Sequence, residues 1–186
     1  FDNTLDGHSG DNDTVSFENS GDKVVVNISD SDVTIVNAPT ANDTYTANRA
    51  TGDTIGTDTI GTDTILRFEN IQAGSGDDTL IGSSGQNIIY GGIGQDFIFG
   101  NDGDDKLFGQ DGNDTLAGGK GNDSIDGGEG NDTVSYFDTD SVIVNLRGAT
   151  NGTGSSSYGA TTYTDKLYSI ENVIGSEKND YIKGNT

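Results

Sequence analysis

Residues 73–135 read AGSGDDTLI, GSSGQNIIY, GGIGQDFIF, GNDGDDKLF, GQDGNDTLA, GGKGNDSID and GGEGNDTVS, seven nonapeptides in tandem without a gap. They share the pattern Gly-Gly-x-Gly-x-Asp-x-U-x, in which U is Leu, Ile or Val. A fixed short period means that each copy is one small unit that packs on its neighbours. This stretch, about a third of the chain, therefore decides the fold.

Each nonapeptide divides into a turn and a strand. Glycines at the first, second and fourth positions permit positive φ and close approach of backbones, so the first six residues favour a turn. The last three residues favour a short strand whose central side chain faces inward. The predicted inward-facing set is Leu80, Ile89, Ile98, Leu107, Leu116, Ile125 and Val134.

The sixth residue of the nonapeptide is a candidate metal ligand. A glycine-rich turn can direct several carbonyl oxygens into one space, and a carboxylate there completes an all-oxygen site, which suits calcium and not zinc. In the alternative interpretation, the aspartates only cap turns of a metal-free solenoid. We disfavour it because stacked carboxylates without a cation repel one another.

With these motifs the chain resembles the RTX, or hemolysin-type, calcium-binding repeat family. The resemblance implies an all-β fold, a right-handed parallel β-roll (a β-solenoid) with two nonapeptides per turn and calcium between the loops of repeats n and n+2. It implies one column of Asp78, Asp96, Asp114 and Asp132, and another of Asn87, Asp105 and Asp123. About five interior calcium sites follow, and the site that contains Asn87 is expected to be the weakest.

The predicted metal-site residues combine the sixth-position side chains, the loop glycines, nearby Asp and Asn residues, and two positions in degenerate copies. They are Asp13, Gly74, Gly76, Asp78, Asn87, Gly91, Gly92, Gly94, Asp96, Gly100, Asp102, Gly103, Asp105, Gly109, Asp111, Gly112, Asn113, Asp114, Gly118, Gly121, Asn122, Asp123, Gly130, Asn131, Asp132 and Asp180. The fifth-position residues are expected to contribute mainly their carbonyl groups. These are Asp77, Asp104, Asn113, Asn122 and Asn131.

The composition also calls for a cation. The chain has 31 acidic and 9 basic residues, a net charge of -22 and no cysteine. Such a surface argues against nucleic acid as a partner, and we expect no membrane insertion because no apolar run is long enough. Leu, Ile, Val and Phe number only 40 of 186 residues, so the core is thin. Five divalent ions would reduce the net charge to roughly -12.

We expect residues 1–186 to be one continuous solenoid fragment. Degenerate repeats at 1–16 and 175–186 and β-rich segments at 17–72 and 136–174 flank the seven nonapeptides. The flanks are similar to each other: VVVNI at 24–28 matches VIVNL at 142–146, and FENI at 68–71 matches IENV at 170–173. Each flank is expected to cap or widen the roll. Because the two chain ends join into one in-register nonapeptide, we expect a longer parent array.

Three features of the chain allow more than one interpretation. The five-residue repeat at 52–65 is either a local expansion, which we favour, or a threonine array for ice or glycan that would depend on Thr54, Thr59 and Thr64. The segment NGTGSSSY at 151–158 is predicted to be a surface loop. Apolar residues at outward positions are expected to pack against a flank, with a docking face as the alternative. These residues are Ile81, Ile88, Tyr90, Phe97, Phe99 and Phe108.

We find no catalytic motif and predict that the chain is not an enzyme. His8 is the only histidine and is interpreted as a solvated loop residue, so nucleophilic triads that need histidine have no obvious base. Paired carboxylates are abundant, but the repeat pattern assigns them to calcium.

The resemblance implies a secreted bacterial protein that leaves the cell by type I secretion and folds when it meets extracellular calcium. The function that we favour is a structural or adhesive module of a large secreted or cell-surface protein. Its expected partners are calcium and neighbouring modules or like subunits. The alternatives are an accessory calcium-binding module of a secreted protease, lipase or polysaccharide epimerase, and an ice- or glycan-binding module.

Overall fold

A computed structural model describes residues 70–146 and 152–184 in full, and the backbones of six short strands between residues 4 and 66. The described residues form 19 β-strands and no helix, so none of them belongs to a helix that could cross a membrane. The strands are β1 (Thr4–Asp6), β2 (Thr14–Ser16), β3 (Val25–Asn27), β4 (Val33–Ile35), β5 (Thr46–Asn48), β6 (Asp63–Leu66), β7 (Asn70–Gln72), β8 (Thr79–Ile81), β9 (Ile88–Ile93), β10 (Phe97–Asp102), β11 (Lys106–Asp111), β12 (Thr115–Lys120), β13 (Ser124–Glu129), β14 (Thr133–Ser135), β15 (Ser141–Asn145), β16 (Gly152–Tyr158), β17 (Thr161–Tyr168), β18 (Asn172–Ile174) and β19 (Tyr181–Lys183).

The nonapeptides alternate between two sheets, in which their strands run parallel to one another. Odd-numbered copies contribute to a six-stranded sheet of order β18-β14-β12-β10-β8-β3, and even-numbered copies to a ten-stranded sheet of order β19-β15-β16-β17-β13-β11-β9-β7-β2-β5. Ile98 lies opposite Leu80 on one side and Leu116 on the other, a register of 18 residues. Two nonapeptides therefore make one turn, and the fold is the parallel β-solenoid that the sequence predicted.

The core is a column of apolar side chains between the two sheets. All seven predicted inward-facing residues are fully buried, with 0% of their surface exposed. Ile71 and Leu167 extend the same column into the flanks, with exposures of 0% and 1%. Burial of one such side chain contributes roughly 1.5–3 kcal/mol, so the stack supplies the apolar part of the stability of the roll.

The strands are longer than the sequence indicated. Strands β9 to β13 each cover six residues: the last three of one nonapeptide and the first three of the next. Backbone hydrogen bonds between turns continue into the glycine-rich half, as from Gly76 N to the carbonyl of Ile93 at 2.7 Å. The prediction of a three-residue strand was wrong because glycines keep the backbones of successive turns close enough to pair.

Glycine is required where the turns stack most closely. Gly112 has a φ of 145°, and a Cβ atom there would meet the carbonyl oxygen of Gly94 in the turn below. A Cβ atom at Gly130 would likewise meet the carbonyl oxygen of Gly112. The second position of the repeat keeps a left-handed backbone even at Asn101 (φ 77°) and Gln110 (φ 79°). The glycine pattern therefore reflects both backbone conformation and the spacing between turns.

The second flank adds several strands to the ten-stranded sheet and one strand, β18, to the six-stranded sheet. Strand β17 lies parallel to β13, β16 runs antiparallel to β17, and β15 runs antiparallel to β16 and parallel to β19. The segment predicted to be a loop at 151–158 is thus largely strand β16. Its small residues alternate inward: Gly154 leaves room for the hydroxyl of Tyr136, and Ser156 is fully buried. Serine and glycine had suggested a loop, but here they fill positions where a larger side chain does not fit.

The pairing of strands supports the similarity of the two flanks. In the first flank β2 pairs in parallel with β7, and β3 pairs in parallel with β8. In the second flank β14 pairs in the same way with β18, and β15 with β19. Each flank therefore contains two parallel strand pairs that follow the same order along the chain.

The outward apolar residues pack partly on one another. The rings of Tyr90 and Phe108 stack with centroids 4.8 Å apart, and Phe99 lies 5.9 Å from Phe137 of the second flank. Phe97 remains 37% exposed. Contact with a flank is thus observed at Phe99. Most of the threonine-rich stretch at 52–65 lies outside the described residues.

Candidate metal centre

The sixth-position aspartates form a hydrogen-bonded column along one side of the roll. The Oδ1 atom of Asp96 accepts the backbone N–H of Asp78, that of Asp114 accepts the N–H of Asp96, and that of Asp132 accepts the N–H of Asp114, each at 2.8 Å. Each carboxylate therefore ties its own turn to the turn before it. This is the stacking at intervals of 18 residues that the family resemblance implied.

The opposite side carries the second column. Asp105 Oδ1 accepts the N–H of Asn87 at 2.8 Å, and Asp123 Oδ1 accepts the N–H of Asp105 at 2.9 Å. Above Asp123 the column continues through Asp165, whose Oδ1 accepts the N–H of Asp123 at 3.0 Å. Sequence analysis missed Asp165. The signal was present, because Asp-Lys-Leu-Tyr at 165–168 repeats the pattern Asp-Lys-Leu-Phe at 105–108.

The second oxygen of these aspartates has a different environment. Five Oδ2 atoms are buried and have no hydrogen-bond partner within the protein. They belong to Asp96, Asp105, Asp114, Asp123 and Asp132. The residues themselves are at most 2% exposed. A buried polar atom without a partner costs roughly 1–3 kcal/mol, and more when it is charged. Five such atoms in one regular array fit a ligand set for cations.

Carbonyl oxygens accompany these carboxylates. A Cβ atom at Gly109 would meet both the Oδ2 atom of Asp114 and the carbonyl oxygen of Gly127, the latter at 2.5 Å. At Gly100 the corresponding neighbours are Asp105 Oδ2 and the carbonyl of Gly118. The space beside each of these two glycines is thus bordered by a carboxylate oxygen and a carbonyl oxygen. Both are hard donors of the kind that calcium prefers.

These sites depend on main-chain donors. Within residues 70–146 and 152–184 no group of three or more His, Cys, Asp or Glu side chains is arranged to hold a metal. A cation at the repeat positions would therefore need carbonyl oxygens in addition to one or two carboxylates. This chemistry again favours calcium over zinc, because zinc prefers nitrogen and sulfur side-chain ligands.

Burial changes the acidity of the column aspartates. It raises the pKa of Asp105 to about 8 and that of Asp123 to about 7, with the charges of neighbouring aspartates adding to the shift. Burial likewise raises the pKa values of Asp96 and Asp114 to about 6, although the hydrogen bonds from backbone N–H groups oppose it. In the metal-free roll the protonated form of these carboxylates is therefore favoured, whereas a bound cation would stabilise their charged form.

The fifth-position side chains have a structural role that sequence analysis did not predict. Asp104 Oδ1 accepts the N–H of Asn122 at 2.8 Å, and Asn122 Oδ1 accepts the N–H of Thr164 at 3.0 Å. Asp77 and Asn113 make the equivalent bonds to the following turn. These side chains bond toward the next turn, whereas the sixth-position side chains bond toward the previous one. Adjacent turns are thus linked in both directions.

Two predicted positions differ from the regular columns. The Oδ1 atom of Asn87 accepts the N–H of Ser83 at 2.8 Å. Asp180 uses both oxygens for protein donors: Oδ1 accepts the N–H of Val142 at 2.9 Å and Oδ2 accepts the N–H of Ser176 at 2.8 Å. Although burial acts in the opposite direction, the hydrogen bonds from Ser176 and Val142 lower the pKa of Asp180. Its neighbour across the strands is Val142, so Asp180 does not face a second carboxylate there.

The remaining predicted residues also divide by location. The loop glycines border the columns, but the carboxylate of Asp102 lies on the surface and pairs with Lys120 at 3.1 Å. Asp111 is exposed at the equivalent third position. Asp13 lies outside the described residues. The structure therefore brings the sixth-position residues together and leaves the third-position acids outside the columns. Metal ligation by any of these residues stays a prediction.

This fold and site define a β-roll whose turns present stacked oxygen donors. Residues 68–98 and 99–134 match the family model of the RTX calcium-binding nonapeptide repeat, in four copies. This part of the chain consists of RTX repeats, which bind calcium and are typical of secreted bacterial proteins. Among curated proteins, none matches the chain.

Proposed function

We propose that the chain is a calcium-folded structural or adhesive module of a large bacterial protein that is secreted or displayed at the cell surface. The observation that carries the calcium-dependent part is the array of five buried aspartate Oδ2 atoms without protein partners. The RTX repeats support the secreted setting, since they are typical of exported proteins. The structural or adhesive role is inferred from the family resemblance. It fits a tandem solenoid in which the described side chains mainly hold successive turns together.

The proposed mechanism couples folding to export. With a net charge of -22, the chain repels itself when calcium is scarce, which favours an unfolded form that a type I secretion system can carry. Outside the cell, calcium neutralises the column carboxylates. Because the ligands converge only in the folded roll, the free energy of binding stabilises the fold.

A titration monitored by far-UV circular dichroism tests the proposal. The chelated chain is titrated with calcium, and a parallel sample receives magnesium. We expect a cooperative rise in β signal with calcium alone, since magnesium retains its water shell and demands a stricter geometry. A full β spectrum that persists in chelator would overturn calcium-dependent folding.

A further inference from the structure

The column that contains Asp132 continues one step beyond the last nonapeptide. The backbone N–H of Asp132 donates to Glu171 Oε2 at 2.8 Å, in the way that each lower member donates to the next aspartate. The N–H groups of Glu171 and Asn172 in turn donate to the carbonyl of Asp132, at 3.1 and 2.9 Å. Glu171 thus occupies the sixth position of one further turn.

The turn before Glu171 is shorter than a repeat turn. Tyr168 pairs with Asp126 and Asn172 pairs with Thr133, so three residues connect strands where the nonapeptide uses six. The side chain of glutamate is one methylene longer than that of aspartate. It still reaches the N–H of Asp132 from this shortened connection.

The oxygen donors of the repeat sites recur at this step. Asp132 is fully buried, and its Oδ2 atom has no hydrogen-bond partner. A Cβ atom at Gly127 would meet this Oδ2 atom, at 2.5 Å, and also the carbonyl oxygen of Ser169. Ser169 replaces the glycine that supplies the carbonyl lower in the column. Burial, followed by the charge of Glu171, raises the pKa of Asp132.

The second column ends without an equivalent site. Both oxygens of Asp165 accept hydrogen bonds from the protein: Oδ1 from the N–H of Asp123 and Oδ2 from the hydroxyl of Tyr136, at 3.0 and 2.9 Å. The atoms nearest to a Cβ at Gly118 are all from Asp123, with no carbonyl oxygen among them. Tyr136 therefore closes this column, whereas Asp132 leaves the first column open to a cation.

We propose that Asp132 of the last nonapeptide forms a further calcium site with Glu171 and the carbonyl oxygen of Ser169, which both lie beyond the tandem nonapeptides. This site rests on the proposed calcium-dependent function, because it uses the same donors as the repeat sites. It would join the last repeat to the second flank. The roll and its widened end would then fold as one calcium-dependent unit.

The test counts bound calcium ions by native mass spectrometry in buffers of fixed free calcium. Glu171→Gln keeps an oxygen that can accept the N–H of Asp132 but removes the charge. The matched control is Glu177→Gln, which removes one charge from an exposed side chain near the same end. At the lowest free calcium that saturates the wild type, we expect Glu171→Gln to hold one ion fewer and Glu177→Gln to hold the full number.

A second measurement needs no variant. Crystals of the calcium-bound wild type should show an anomalous scattering peak in contact with both Glu171 and the carbonyl of Ser169. A full ion count in Glu171→Gln, or the absence of that peak, would overturn this site while the repeat sites stand. A wild-type chain that binds no calcium would instead overturn the proposed function itself.

Discussion

At the scale of single residues, we predict separate roles for the two oxygens of Asp114. In Asp114, Oδ1 fixes the spacing between turns through the N–H of Asp96, and Oδ2 lies buried without a protein partner. The first role needs only an acceptor, which asparagine also supplies. The second role, which is the proposed calcium ligation by Oδ2, needs negative charge. Replacement of aspartate by asparagine therefore separates the two.

We expect Asp114→Asn to fold but to need more calcium. The hydrogen bond to Asp96 can persist, while the loss of a charged ligand should raise the calcium concentration at the folding midpoint about tenfold or more. The measurement is the calcium titration by circular dichroism. Glu129→Gln is the control, because it removes one charge from an exposed side chain in the neighbouring strand. Equal shifts in the two variants would contradict a ligand role for Asp114.

The raised pKa values predict how metal-free stability depends on pH. Asp105 and Asp123 have folded-state pKa values of about 8 and about 7, above the value near 3.8 of an unperturbed aspartate. A raised pKa stabilises the folded state at pH values below the unperturbed pKa, and this contribution is lost as pH rises through the folded value. In chelator we expect a larger folded fraction at pH 5 than at pH 8, measured as the β signal in far-UV circular dichroism.

Calcium should reverse this dependence on pH. Protons and calcium compete for the same oxygens, so the apparent calcium affinity is expected to increase from pH 5 to pH 8. A β signal in chelator that rises with pH would contradict the burial of these carboxylates in the metal-free roll.

At the scale of strands and turns, the repeat period accounts for what the sequence predicted. The inward-facing residues follow from one local rule applied every nine residues, whereas the register of 18 residues and the stacked aspartates were implied by the family resemblance. Glu171 was missed because the chain leaves that period at residue 136 and returns after a hairpin, and the similarity of residues 165–168 to residues 105–108 did not by itself place Asp165 in the column. Their positions depend on the pairing of β17 with β13 and of β18 with β14, which is a long-range property. The length of the strands was missed because it depends on contact between turns.

The close contact between successive turns predicts that a methyl group at a stacked glycine destabilises the fold. Gly112→Ala would strain a backbone with φ of 145° and place Cβ against the carbonyl oxygen of Gly94. We expect it to lower the free energy of unfolding by more than the roughly 1 kcal/mol typical of left-handed strain alone. Chemical denaturation in saturating calcium measures this. Gly184→Ala is the control, since a Cβ at Gly184 meets nothing within 4 Å, and an equal loss there would contradict the packing argument.

At the scale of the whole molecule, two electrostatic costs oppose folding and they differ in their response to salt. The net charge of -22 gives repulsion across the surface, which dissolved salt screens over about 8–10 Å. The buried column carboxylates instead lose hydration, as their raised pKa values show for Asp96, Asp105, Asp114 and Asp123. Bulk salt does not restore that hydration, whereas a cation held against the oxygens replaces it.

Sodium chloride should therefore fail to replace calcium. In chelator at pH 8, we expect about 1 M NaCl to leave the β signal near that of the unfolded chain, although the Debye length is then only about 3 Å. Millimolar calcium should restore the β signal at either salt concentration, because coordination at the columns supplies what screening cannot. If salt alone folds the chain, surface repulsion is the main barrier and the buried carboxylates are a minor one. Circular dichroism of the same sample before and after calcium addition distinguishes these two outcomes.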